Sequence, residues 1–174
     1  TVLLRSMTAT DAAAVRAFAE QLPAHDLLFL RRDITQPKVL SAWVRDIEAG
    51  DITSLLALDG TNILGCTAVV RDQKSWSPHV GEVRVLVSAA MRAHGLGRVL
   101  IQECFLIALS LGLEKVTAQM TPDQTAAIGV FEGMGFRPEA LLRDHVRDRD
   151  GVKHDLVILG HDVAAFQARM QAYG

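Results

Sequence analysis

Apolar and polar positions along the chain follow two periods. Stretches with every second residue apolar, or short apolar runs bounded by turn residues, read as strands; stretches repeating every three to four residues read as helices. Strands are predicted over Val2–Ser6, Ser54–Leu58, Ile63–Arg71, His79–Val87, Lys115–Met120, Leu141–Val146 and His154–Leu159. Thr10 or Asp11 is placed to cap a helix reaching Leu22, and Pro37 opens a second that Gly50 follows after Glu48. Further helices are predicted from Arg98 to Leu111, from Pro122-Asp123 to Gly133 or Gly135, and from Val163 onward. Asp59-Gly60-Thr61-Asn62 and Asp148-Arg149-Asp150-Gly151 carry turn chemistry and join hairpins. The order β-α-α-β-β-β-α-β-α-β-β-α, with no repeat, predicts an α/β fold in which a mixed central sheet is flanked by helices. The stretch from Ala24 to Gln36 fits neither period.

Length and composition narrow the picture. At 174 residues with 49% hydrophobic content, residues 1–174 fit one domain with a core of its own. No apolar run approaches the roughly 20 residues that span a bilayer. The first residues, TVLLRSMTATDAAAV, lack a basic segment and a cleavable apolar one. No membrane partner and a cytoplasmic location are therefore expected. With 18 basic against 20 acidic residues and a net charge of −2, the chain lacks the basic excess of a nucleic-acid backbone binder. Cys66 in a strand and Cys104 in a helix read as buried free thiols.

The most informative stretch runs from Val85 to Phe105, VLVSAAMRAHGLGRVLIQECF, where an apolar strand meets an apolar helix through Arg92, Gly95 and Gly97. A helix N-terminus leaves N–H groups without partners and carries partial positive charge. Glycines let those amides lie against a phosphate, and Arg92, His94 and Arg98 supply further donors. The residues exclude two common phosphate sites. A dinucleotide fingerprint needs glycine at position 100, which is Leu100, and a P-loop needs Lys-Ser/Thr after Gly97, where Arg98-Val99 stand. On its own, Gly-x-Gly is equally a tight strand-to-helix connection.

Two motifs in order settle more than either alone. Val87–Gly97 (VSAAMRAHGLG) resembles the pattern V-x-P-x-x-[QR]-x-x-G-x-[GA], and Ala127–Phe136 (AIGVFEGMGF) resembles A-I-x-L-Y-E-K-x-G-F, both of the GNAT N-acetyltransferase family. The resemblance covers nearly the whole chain. It implies a mostly antiparallel sheet with a strand–glycine turn–helix coenzyme A site, and acetyl-CoA as donor between two splayed parallel strands. Residues Arg92, Ala93, His94, Gly95, Leu96, Gly97 and Arg98 would hold the pyrophosphate. Backbone groups of Val85, Leu86 and Val87 would pair with the pantetheine arm, with Leu86 as oxyanion donor, and Gln124 and Phe131 would line that arm. The acceptor would be an amine, attacking directly; no nucleic acid and no metal are implied. The oligomeric state stays open, with a homodimer favoured.

The chain departs from the family where Phe131 replaces a Tyr that protonates the departing thiolate in many members. A non-catalytic acyl-CoA sensor of the same fold is the competing reading. On the strand His79–Val87, Glu82, Arg84 and Leu86 share one face. Glu82 is the candidate general base, against an alternative in which it forms a structural ion pair with Arg84. His79 at the strand mouth is a weaker candidate. Asp144 and His145 read as exposed hairpin residues, and no His pair has metal-ligand spacing. Acceptor choice is expected to lie in Ala24–Gln36 and the loop Asp72–Pro78, with Arg31-Arg32 reading as a solvated charge pair.

Overall fold

The computed structural model describes residues 1–28 and 32–173. Arg31, half of the pair noted above, lies outside the described residues. Strands β1 (Leu3–Ser6), β2 (Ile52–Asp59), β3 (Asn62–Arg71), β4 (Val80–Val87), β5 (Lys115–Met120), β6 (Arg137–Arg147) and β7 (Lys153–Asp162) form one sheet. Their order is β1-β2-β3-β4-β5-β7-β6. Every neighbouring pair is antiparallel except β4–β5. Helices α1 (Ala12–Glu20), α2 (Pro37–Glu48), α3 (Leu96–Ser110), α4 (Thr125–Gly133) and α5 (Val163–Tyr173) complete the fold. Among the described residues no helix is long and apolar enough to cross a membrane.

The alternation of side chains builds two cores on opposite faces of the sheet. On one face, α1 and α2 bring Val15, Phe18, Leu40 and Trp43 onto Leu56, Cys66, Ala68 and Leu86. On the other, Ile101, Cys104 and Phe105 of α3 pack with Val69, Val83, Val116 and Leu159. Phe105 stacks on Phe166 of α5 with centroids 3.6 Å apart. Burial pushes the thiols of both Cys66 and Cys104 up to about 12. The polar Trp43 indole is accommodated because its Nε1–H donates to Ser54 Oγ at 3.1 Å.

Several boundaries differ from expectation for local reasons. Asp11 precedes α1 but does not cap it. Its carboxylate accepts the Thr8 N–H at 2.8 Å and both Arg5 Nη groups at 2.8 Å. Helix α3 begins at Leu96, not Arg98, because Gly95 takes the left-handed conformation (φ 78°) that ends the turn before it. Helix α4 begins at Thr125 rather than at Pro122-Asp123, with Gln124 at its N-cap. Strand β6 is longer than Leu141–Val146 because register shifts near Pro138/Ala140 and Leu142/Val146 interrupt the alternation that marks a strand.

Arg5 and Thr8 hold the Asp11 carboxyl down to about 2 from 3.8, against the cost of burial. A carboxyl with a lowered folded-state value stabilises the fold above its unfolded value and ceases to do so as pH falls through the folded one. Replacing Asp11 by Asn is expected to cost about 1–2 kcal/mol at neutral pH, after allowing for screening at the half-exposed Arg5. Urea unfolding should show this gap between wild type and variant closing from about pH 4 to about pH 2; a gap independent of pH would contradict the assignment.

Candidate active site

Strands β4 and β5 pair at three positions, Val80↔Lys115, Gly81↔Val116 and Glu82↔Thr117, and then part. The closed end is packed tightly, since a Cβ on Gly81 would lie 2.6 Å from Leu113 Cδ1. Hydrogen-bond parity then assigns each strand's edges. Ser88 N–H donates to Leu64 O at 2.8 Å, continuing the register that pairs Leu86 with Cys66. The main-chain groups of Glu82, Arg84 and Leu86 therefore point to β3, and those of Val83, Val85 and Val87 to the β5 side, where the Glu82↔Thr117 rung takes the Val83 N–H and Val85 and Val87 face the gap. On β5, Val163 N–H donates to Glu114 O at 2.9 Å. By the same alternation Thr117, Gln119 and Thr121 point toward β4; Thr117 belongs to the last paired rung, and Gln119 and Thr121 face the gap. The Thr121 N–H is taken by Gln124 Oε1 at 3.0 Å.

This parity corrects one expectation. The Leu86 amide belongs to the β3 ladder and is not an oxyanion donor in the gap. Its neighbours Val85 and Val87 carry the gap-facing amides.

The gap opens onto the start of α3. The first intrahelical bond runs from Val99 N–H to Gly95 O at 3.2 Å, so the amides of Leu96, Gly97 and Arg98 have no partner within the helix. Ala93 is left-handed (φ 63°), an uncommon conformation for a residue with a Cβ. Gly97 has ordinary backbone angles, and a Cβ there would meet only Val87 Cγ2, at 3.8 Å. Neither conformation nor protein packing requires a glycine at that position.

Together these elements enclose a cleft of about 810 Å³. Val85, Leu86, Val87, Arg92, Ala93, Gly95, Leu96, Gly97, Arg98, Gln124 and Phe131 all line it, whereas His94 and Glu82 do not. Phe131 also packs edge-on to Phe136, with centroids 5.0 Å apart. His25, Asp26 and Asp123 line the cleft too and were missed. The first two sit in a short turn, Ala24–Leu27, inside the stretch without periodicity. Arg92 is paired with Asp26 across the cleft. His25 Nε2 lies 2.9 Å from Asp123 Oδ2 and 3.2 Å from Thr121 Oγ1. Hydrogen bonds from Thr121 and His25 hold the Asp123 carboxyl below its usual range.

Glu82 lies on the α1/α2 face. Its Oε2 accepts from Arg84 Nε at 3.1 Å and Nη2 at 2.8 Å, so the ion pair weighed above is present. Its Oε1 is buried with no hydrogen-bond partner among the described residues. His79 sits at the closed end, where its carbonyl accepts from the Glu114 and Lys115 amides. The loop Asp72–Pro78 precedes β4 and lies at the far end of the sheet, roughly 23 Å of strand away from the cleft mouth. Neither contributes to the cleft.

The sequence matches the acetyltransferase (GNAT) family model over residues 16–136. It is 31% identical over 83 residues to "Putative phosphinothricin acetyltransferase YwnH" of Bacillus subtilis (strain 168), covering 48% of this chain and 50% of that one. The chain thus spans about half the length of the curated relative it matches. The structure of yncA from Salmonella typhimurium with its cofactor acetyl-CoA is similar with a TM-score of 0.77 at 19% identity, covering 94% of each chain. Spermidine N-acetyltransferase from Vibrio cholerae in complex with CoA and spermine gives a TM-score of 0.79 at 14% identity, over 95% of this chain and 98% of that one. At these identities the solved structures establish a shared fold.

Proposed function

The chain belongs to the GNAT family of acetyltransferases, and from that premise we propose that it transfers an acetyl group from acetyl-CoA to an amine by direct attack. The observation that carries the reading is the parting of β4 from β5, which leaves main-chain donors and acceptors of Val85 and Val87 facing the gap beside the α3 N-terminus. Buried main-chain groups require partners, and an extended amide-bearing arm laid in the gap supplies them. The amides of Leu96, Gly97 and Arg98, free of partners within the helix, suit a pyrophosphate, and the glycine at 97, which the protein itself does not need, allows close approach. Arg92 is the side-chain donor at that end. Acetyl-CoA brings the activated acyl group; binding and proton handling fall to the protein.

The gap-facing N–H of Val85 or Val87 is the donor for charge developing on the acyl oxygen. The amine approaches from the α1/α2 face, where Glu82 Oε1 has no other partner among the described residues. Arg84 fixes the carboxylate through Oε2, leaving Oε1 to accept the proton through an intervening water as the new N–C bond forms and the C–S bond breaks. With Phe131 in place of a hydroxyl donor, the departing thiolate takes its proton from solvent.

Thermal unfolding tests binding. Acetyl-CoA or CoA at 100 times its dissociation constant adds about 2.7 kcal/mol, which raises the midpoint by roughly 2–4 °C, and ATP does not. Glu82→Gln should keep that shift while lowering amine-dependent thiol release about 10²- to 10⁴-fold. The two protein thiols are buried and do not interfere with thiol detection in the native state. An unchanged rate would make the Glu82–Arg84 pair purely structural, and wild-type binding without turnover on any amine would favour the sensor. Asp26 shares Arg92 with the expected phosphate, so Asp26→Asn should tighten CoA several-fold in a titration; weakening would mean that Asp26 positions Arg92 instead.

A further inference from the structure

A second cavity, of about 320 Å³, lies between the Ala24–Leu27 turn and the distal end of β6. Its polar lining is dominated by Arg32, Arg147 and Arg149, with His145 and Asp33. Arg149 Nη2 lies 3.2 Å from Asp33 Oδ2 and 3.3 Å from Thr35 Oγ1. Asp33 also accepts from Thr35 Oγ1 at 2.6 Å and from its N–H at 3.0 Å. Burial raises the Asp33 carboxyl value, but the Thr35 hydrogen bonds and Arg149 outweigh it and leave the value below the usual range. Three arginines and one carboxylate thus line the cavity. Among the described residues neither Arg32 nor Arg147 has a carboxylate partner. In a chain whose net charge is −2, this is a local concentration of positive charge in a concave site.

The short turn between α1 and α2 forms a wall common to this cavity and the cleft. Ala24 and Leu27 line the cavity, and His25 and Asp26 line the cleft. Leu28 and Val146 add an apolar wall. A ligand with an acid group at one end and a short apolar body meets both kinds of surface here. Guanidinium forks pair with the two oxygens of a carboxylate or similar oxyanion, and the volume is at the low end for small-ligand sites.

We propose that this arginine-lined cavity binds the acid group of the acceptor, so that the substrates are small amines carrying a carboxylate or a related oxyanion. The proposal rests on the acetyltransferase reading for the amine's fate but not for binding at the cavity. Arg32 and Arg147 take the oxyanion, and Arg149, held by Asp33 and Thr35, sets the cavity's shape and charge.

The test uses ω-amino acids from glycine to 6-aminohexanoate and the matching aminoalkylphosphonates, against n-alkylamines and diamines of equal length. Acetyl-CoA-dependent thiol release is measured for each, and midpoint stabilisation is measured with and without CoA. An acid of one preferred length should exceed the equal-length alkylamine at least about tenfold in kcat/KM. Arg147→Gln and Arg32→Gln should each cut that acid-to-alkylamine ratio about tenfold while leaving the midpoint shift with CoA intact. The phosphonate arm tells whether carboxylate or phosphonate geometry fits better. Equal or better use of alkylamines or diamines overturns the proposal. So does the absence of stabilisation by any acid, with or without CoA, or an unchanged ratio in both variants. If acids stabilise the protein through Arg147 but acetyl-CoA does not bind, the acid site stands and the acetyltransferase reading falls.

Discussion

The parallel pairing of β4 with β5 stops after Glu82 and Thr117, and the rest of the site depends on that break. Each strand is held on its outer edge, β4 by antiparallel β3 and β5 by antiparallel β7. At the closed end Leu113 occupies the space a side chain on Gly81 would need, which draws the strands together. At the open end Val85 and Val87 pack with Leu96 and Leu100, so the departing β4 edge is fastened to α3. Gln124 occupies the Thr121 N–H at the end of β5. The gap is therefore fixed from both sides, with main-chain groups of Val85 and Val87 directed into it.

The Ala24–Leu27 turn makes a second constraint. It carries Asp26 to Arg92 and His25 to Asp123 and Thr121, which ties the turn to both walls of the cleft. The His25 ring also meets His154 edge-on, with centroids 5.1 Å apart, and His154 is in turn bonded to Asp148 at 2.8 Å. The same turn walls the arginine-lined cavity. The cleft and the arginine-lined cavity thus share one short element held by polar contacts.

Much of this was legible in the residues. Alternation located the strands, Pro37 begins α2 as expected, the Asp59–Asn62 turn sits at the β2–β3 junction with each strand one residue longer into it, and the family resemblance pointed to Val85–Val87 and Arg92–Arg98, all of which but His94 line the cleft. What failed depends on neighbours that local pattern does not identify. Side-chain alternation tells which face Leu86 occupies, but the edge to which its amide points depends on which strand lies on each side. The start of α4 moved because the Gln124 side chain turns back to Thr121, a contact with no periodic signature. His25 and Asp26 lie in a stretch without period, where only tertiary contacts confer a role. Arg32 was read with its sequence neighbour, whereas its partners in space, Arg147 and Arg149, come from the end of β6 and the turn beyond it.

The most direct test of the central claim is amide hydrogen exchange resolved at Val85, Leu86 and Val87, with and without saturating CoA. The structure predicts that Leu86, already bonded to β3, is slow in both states. Val85 and Val87 should exchange faster in the free protein and slow by at least about tenfold when a ligand arm fills the gap. If Val85 and Val87 are as protected as Leu86 without ligand, or unchanged by it, the gap is not where the donor binds.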